Sequence, residues 1–245
     1  MKLIRASWPV KPTIHALTTT RMDGVSQPPY DGLNFAYHVG DDPLLVEQNR
    51  QILQQAMGLK KPVQWLEQVH GTAVVKASDD DCPLAADACW SDEPGMACAV
   101  MTADCLPVLF TDRAGTRVAA AHAGWRGLAN GVLENTLAVF ANPADVMVWL
   151  GPAIGPLAFE VGDDVFLAFC EDNPLASAAF IQAPTNPGKW LADIYRLARI
   201  RLAAAGVTEV YGGDFCTFTD SEYFYSYRRN NQTGRMASLI WIEGD

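Results

Sequence analysis

Residues 97–125, ACAVMTADCLPVLFTDRAGTRVAAAHAGW, hold three short apolar runs separated by connectors of a few residues. The runs 97–101, 106–111 and 116–121 have the length and composition of β-strands. Their connectors are too short for a helical crossover, which takes a dozen or more residues, so they do not belong to a doubly wound parallel fold. The same reading extends outward from this stretch. Strands are expected at 13–20, 63–66, 72–76, 146–150, 208–211, 222–227 and 236–242.

Helices are expected between these strands. Asp42 caps one and Pro43 opens it; Leu45, Ile52, Leu53 and Ala56 form its buried stripe, and Gly58 ends it. A second spans 128–140, with Ala129, Val132, Leu133, Leu137 and Phe140 on one face and Asn142-Pro143 as its stop. A third covers 163–170, and a fourth turns Leu191, Ile194, Tyr195, Ala198 and Leu202 inward before Gly206. The expected fold is α+β (mixed α/β): one domain over 1–245, a mixed β-sheet sandwich flanked by helices. The chain has no Gly-x-Gly-x-x-Gly or Walker loop, which argues against a dinucleotide or P-loop site.

The net charge is −10. An acidic chain is repelled by phosphate backbones and anionic bilayers, so neither nucleic acid nor membrane is an expected partner. The one dense basic cluster is Arg228, Arg229 and Arg235. No apolar run is long enough for a signal peptide or a bilayer span, which points to the cytoplasm. The six cysteines (82, 89, 98, 105, 170 and 216) contain no Cys-x-x-Cys pair, and most are expected to be buried thiols.

Three residues stand out by context: His70 in Gln68-Val-His-Gly71, Cys105 in Thr102-Ala-Asp-Cys105, and His122 in His122-Ala-Gly-Trp-Arg-Gly127. Imidazole and thiolate are donors that tetrahedral zinc prefers, and three of them leave a position open. Their spacings of 35 and 17 residues match no compact zinc motif, so spacing alone also allows a structural role for each. Adjacent small residues and strand-end positions favour a shared site.

Six segments carry a resemblance: Gln68–Gly71, Thr102-Ala-Asp-Cys-Leu-Pro-Val108, His122–Gly127, Gly151-Pro-Ala-Ile-Gly155, Tyr225-Ser-Tyr-Arg-Arg229 and Thr233-Gly-Arg235. In this order they resemble the bacterial laccase-domain family, whose members carry the labels polyphenol oxidase, purine nucleoside phosphorylase and peptidoglycan editing factor. The resemblance implies that His70, Cys105 and His122 bind zinc. It also implies purine nucleoside phosphorolysis with accompanying adenosine deamination, acting on a small-molecule nucleoside and phosphate. Many members carry Asp after Tyr-Arg-Arg, where this chain has Asn230.

Phosphorolysis requires cations or backbone donors to hold phosphate, and Arg21, Arg126, Arg228 and Arg229 are the available cations, with surface charge or structural pairing as the alternative for each. Asp104 either orients an imidazole or accepts a proton, or else caps a turn. Asn34 and Ser226 could hydrogen-bond a ribose or base, or serve as turn and strand residues. Glu67 and Asp214 are weaker candidates for proton transfer, and His38 is read as structural ahead of a substrate contact.

Other readings use the same trio. Cys105 could be a nucleophile with His70 or His122 as base, which suits an amidase that removes a wrong amino acid from a UDP-sugar peptide precursor. Copper could substitute for zinc, but a multicopper oxidase needs more imidazoles than His15 and His38 would add. A non-enzymatic binder with a structural metal would need a fourth protein ligand, and Cys82, Cys89, Cys98, Cys170 and Cys216 lack comparable contexts.

Overall fold

The structure, a computed structural model, describes residues 1–80, 83–171 and 173–244. Cys82 lies outside the described residues. The stretch 97–125 is divided between two sheets. Ala97–Thr102 joins a five-stranded sheet of order Leu3–Arg5, Ile14–Thr19, Met236–Ile242, Ala97–Thr102, Val63–Gln64. Leu106–Asp112 and Val118–Ala123 form an antiparallel hairpin in a six-stranded sheet, with His122 opposite Pro107. That sheet runs Glu209–Gly212, Val146–Leu150, Leu106–Asp112, Val118–Ala123, Ala88–Ser91, Val74–Lys76. Both sheets are mixed: the pairs of Val63–Gln64, Glu209–Gly212 and Val74–Lys76 are parallel and the others antiparallel.

The sheets pack face to face. Cys98, Val100 and Ile240 from one meet Cys89, Leu109, Val118 and Ala120 from the other. The outer face of the six-stranded sheet, including Phe110, Ala119, Ala121 and Val148, is covered by Leu128, Leu133, Leu197 and Leu202 from helices. Leu17, Ala99 and Leu239 on the other outer face pack against Leu33, Phe35 and Leu53. Central strands therefore have protein on both faces, which is why they are apolar at successive positions rather than alternating. Among the described residues, no helix is long and apolar enough to cross a membrane.

Several elements differ from the sequence expectation. The 128–140 helix is two, Trp125–Asn130 and Val132–Leu137, because Gly131 at φ 101° caps the first and starts the second. Pro43–Ala56 forms as expected, with the Asp42 carboxylate accepting from the Leu44 N–H at 2.9 Å. Its buried face is Val46, Asn49 and Leu53, while Ala56 is exposed. The rotation follows from Asn49, which accepts from the Val25 N–H and donates to Ser26 Oγ and the Gly32 and Asn34 carbonyls, at 2.9 to 3.1 Å.

Leu191 lies in a strand, Trp190–Ala192, and the fourth helix starts at Ile194 behind the Asp193 cap. Residues 222–227 are not a strand. They form turns leading into a short helix, Tyr227–Asn230, which the Ser226 hydroxyl caps by accepting the Arg229 N–H at 3.2 Å.

Candidate metal centre and active site

The trio assembles where the chain crosses from one sheet to the other. Cys105 follows Asp104, whose φ of 94° makes the sharp turn between Ala97–Thr102 and Leu106–Asp112. His122 sits near the end of Val118–Ala123 and is buried. His70 occupies an exposed bend at φ 59°. One donor atom from each of the three lies within 4.8 Å of the others. Cys105 Sγ is 3.9 Å from His70 Nε2.

Asp87, fully buried at the start of the adjacent strand Ala88–Ser91, holds this arrangement. Its Oδ1 is 2.8 Å from His122 Nδ1 and accepts from the His70 N–H at 2.9 Å. Its Oδ2 accepts from the Gly71 and Val69 amides at 2.6 and 3.3 Å. The bond to Nδ1 leaves His122 Nε2 as the nitrogen that can coordinate. Burial pushes the Asp87 carboxyl up, but the bonds from His122, Gly71 and Val69 outweigh it and hold it below the usual carboxylate range.

Cys105 and His122 shift each other. Burial raises the thiol, but the charge and hydrogen bonding of His122 and His70 bring it down to about 6. Burial lowers His122, and the Cys105 charge with the Asp87 bond raises it to about 9. The pair therefore favours a thiolate, the form in which cysteine binds a metal or attacks an electrophile. Two imidazoles and a thiolate match a zinc donor set. Gly124 leaves the necessary room: a Cβ there would stand 2.8 Å from His70 Cδ2 and 3.2 Å from Cys105 Sγ. Gly127 likewise lets its helix approach the Gly71 carbonyl, 2.7 Å from where a Cβ would stand. These close approaches explain the glycines of the His122–Gly127 segment.

The trio faces a cavity of about 450 Å³. Trp125, Ile154, Phe159, Ile194 and Tyr227 give it apolar walls, and Arg228 and Arg235 contribute charge. Gln68 completes one side and ties the His70 bend to the five-stranded sheet, donating to the Met101 carbonyl at 2.8 Å and accepting its N–H at 2.7 Å. Asp104 borders the cavity, with its carboxylate accepting from Thr217 Oγ1, Ser226 Oγ and the Arg228 N–H at 2.6, 3.1 and 2.7 Å. The carboxylate that meets His122 is therefore Asp87.

Of the candidate substrate contacts, Arg228 lines the cavity and the others do not. Arg21 is paired with Asp31 at 3.0 Å, and Arg229 donates to the Thr217, Phe218 and Phe224 carbonyls. Arg126 is exposed beside the Trp125 ring. Asn34 is buried, bonded to Asp41 and to the Arg235 N–H, and Ser226 is a buried cap. Glu67 and Asp214 also lie outside the cavity wall, whereas His38 is part of it. Asp87 is absent from the sequence-based candidates, and Gly124 and Arg235, present there only within the quoted segments and the basic cluster, carry no site role in them. For Asp87 a signal exists in Leu84-Ala-Ala-Asp-Ala-Cys-Trp90, where one acid interrupts an apolar run and must be buried with partners.

Residues 15–243 match the family described as multi-copper polyphenol oxidoreductase laccase. The chain is 57% identical over 237 residues to a Pseudomonas aeruginosa protein named purine nucleoside phosphorylase PA4543, covering 96% of both chains. It is also 57% identical to purine nucleoside phosphorylase YfiH of Escherichia coli K12, covering 98% of this chain and 99% of that one. The crystal structure of Neisseria meningitidis protein NMB0706 superposes with a TM-score of 0.95 at 53% identity over the full length of both chains. That of YlmD from Geobacillus stearothermophilus gives 0.91 at 32% identity, covering 100% of this chain and 97% of that one. The chain belongs to this laccase-domain family.

Proposed function

We propose that the protein is a zinc-dependent purine nucleoside phosphorylase of the cytoplasm that also deaminates adenosine. The observation that carries this reading is a His-Cys-His donor group opening onto a cavity that offers both apolar ring surface and guanidinium charge. The phosphorylase names of relatives at 57% identity support it.

In phosphorolysis the bond between ribose C1′ and purine N9 breaks, its electron pair leaves on the base, and the base takes up a proton. A phosphate oxygen bonds C1′ and yields ribose 1-phosphate. In deamination, the oxygen of water replaces the C6 amine, which leaves as ammonia. His70, Cys105 and His122 would hold zinc, which supplies Lewis acidity at the cavity wall. Phe159 and Tyr227 line the cavity and would supply aromatic contact to a purine. Arg228, with one Nη1 anchored on the Ala158 carbonyl at 3.2 Å, places a cation against the substrate. Asp104 acts through Arg228, whose N–H it accepts.

Zinc is favoured over copper chemistry by the donor count. Among the described residues, the trio is the one group of three or more His, Cys, Asp or Glu side chains close enough to share an ion. His15 is elsewhere, stacked on Trp241 at 5.1 Å. A multinuclear copper cluster therefore lacks ligands, although copper could substitute at the zinc donors.

A second reading is favoured by the chain Cys105, His122, Asp87, the order of nucleophile, base and orienting acid in cysteine hydrolases. Here the Cys105 thiolate would attack the amide of a UDP-sugar peptide precursor, His122 would protonate the leaving amine, and water would then release the acid. Metal analysis of the purified protein, followed by parallel incubation with adenosine plus phosphate and with a mis-aminoacylated UDP-sugar precursor, separates the two. The phosphorylase reading expects bound zinc and phosphate-dependent base release, lost on chelation and restored by zinc. Amide cleavage that survives chelation and is blocked by alkylation would replace it. A Cys105→Ala variant that keeps both activities would sink the shared site.

A further inference from the structure

Arg235 stands on the wall between two cavities. One is the cavity of the trio; the other, of about 390 Å³, is bounded by Val39, Asn231, Gln232 and Thr233. His38 and Tyr227 are the other residues that both cavities share. The backbone of Arg235 is fixed from behind, because the buried side chain of Asn34 accepts its N–H at 2.9 Å. Its Nη1 donates to the Thr233 and Gly234 carbonyls at 2.9 and 3.1 Å. Among the described residues, its Nε and Nη2 make no hydrogen bond, and no carboxylate lies within ion-pair distance. The nearby Asp104 carboxylate is engaged by Thr217, Ser226 and the Arg228 amide.

Arg228 also lines the cavity and commits only Nη1, to the Ala158 carbonyl, but it is exposed where Arg235 is half-buried; the remaining candidate arginines contrast more sharply. Arg21 is neutralised by Asp31, Arg229 is saturated by carbonyls, and Arg126 is exposed away from the cavity. A half-buried guanidinium with two uncommitted donors on one edge is suited to a tetrahedral oxyanion, which it can grip in a forked pair of bonds. In a chain of net charge −10, such an anion needs a fixed local cation.

We propose that Arg235, with His38 beside it, forms the subsite for inorganic phosphate, and that phosphate enters through the second cavity while the nucleoside occupies the first. The proposal rests on the phosphorylase reading. The Tyr227 ring, 5.8 Å from the Arg235 guanidinium carbon, marks the boundary between the two routes. Arg228 then serves the nucleoside side of the site, not the phosphate.

Steady-state phosphorolysis of inosine by the zinc-loaded protein, with inosine and inorganic phosphate varied separately, tests this. Arg235→Gln removes a charge-assisted contact and is expected to raise the phosphate KM about tenfold or more while the inosine KM is unchanged. Arg235→Lys recovers part of the loss. Gln232→Trp, placed at the exposed rim of the second cavity, is expected to raise the phosphate KM and spare the inosine KM. If both KM values rise together in Arg235→Gln, or the phosphate KM does not move, the subsite is overturned while phosphorolysis stands. If the wild-type protein releases no base in a phosphate-dependent way, the phosphorylase reading fails and takes this subsite with it.

Discussion

Asp87 organises the candidate metal centre without belonging to its donor set. One carboxylate oxygen fixes the His122 tautomer and both hold the His70 bend through backbone amides. Asp87→Asn keeps the shape but turns one acceptor into a donor, so it cannot satisfy His122 and all three amides together. Zinc affinity is expected to fall about 10- to 100-fold, as for other losses of a group that orients a ligand, and competition against a chelator measures it. Unchanged affinity would mean that the bend and ring are positioned without it. Gly124→Ala places a methyl group 2.8 Å from the His70 ring and 3.2 Å from Cys105 Sγ. That variant should retain its far-ultraviolet circular dichroism and purify with substantially less zinc. The trio was legible because histidine is rare here, four in 245 residues, and each member sits in an unusual segment. For Asp87 the apolar run 84–90 signals burial but not the partners, His122 and the amides of 69–71, which a strand pairing and a bend distant in sequence bring to it.

Elements were legible in type more than in phase or continuity. The Asp42-Pro43 start was readable because its cap is a local interaction. Which face turns inward was not, since Asn49 is buried by contacts with residues 25 to 34, and hydropathy assigns an asparagine to the surface. The end of the chain misled in a similar way. Aromatic residues at 222–227 have strand propensity, but Arg229 gathers three carbonyls and Ser226 caps a helix, and both interactions bend the segment. Gly131 belongs to this scale too, because its φ of 101° sets the angle between two helices covering the six-stranded sheet. Gly131→Ala forces a side chain into the left-handed region and should lower unfolding free energy by about 1–2 kcal/mol. Urea denaturation with an unchanged m-value checks this, and equal midpoints for the two proteins would show that the junction relaxes freely.

At the scale of the molecule, the sandwich was legible because connectors of a few residues exclude helical crossovers. The division of 97–123 between two sheets was not. A connector as short as Thr102-Ala-Asp-Cys105 carries no sign of a change of sheet, and it is the left-handed Asp104 that turns the chain across to the other one. That crossing would give an ion held by the trio a mechanical role. Cys105 lies on the link between the sheets, His122 belongs to the six-stranded sheet, and the His70 bend is bound to the five-stranded sheet by Gln68. An ion held by all three would therefore join both sheets and exist only in the folded chain, since the spacings of 35 and 17 residues preorganise nothing when unfolded. Ligand linkage then predicts a stabilisation of about 4 kcal/mol at free zinc a thousandfold above Kd. For a chain of this length that corresponds to a rise in Tm of roughly 8–16 °C. Differential scanning calorimetry of chelated and zinc-loaded protein measures the rise, and Cys105→Ala should remove most of it. A Tm indifferent to zinc in the wild-type protein, with zinc shown to be bound, would mean that the ion does not couple the sheets.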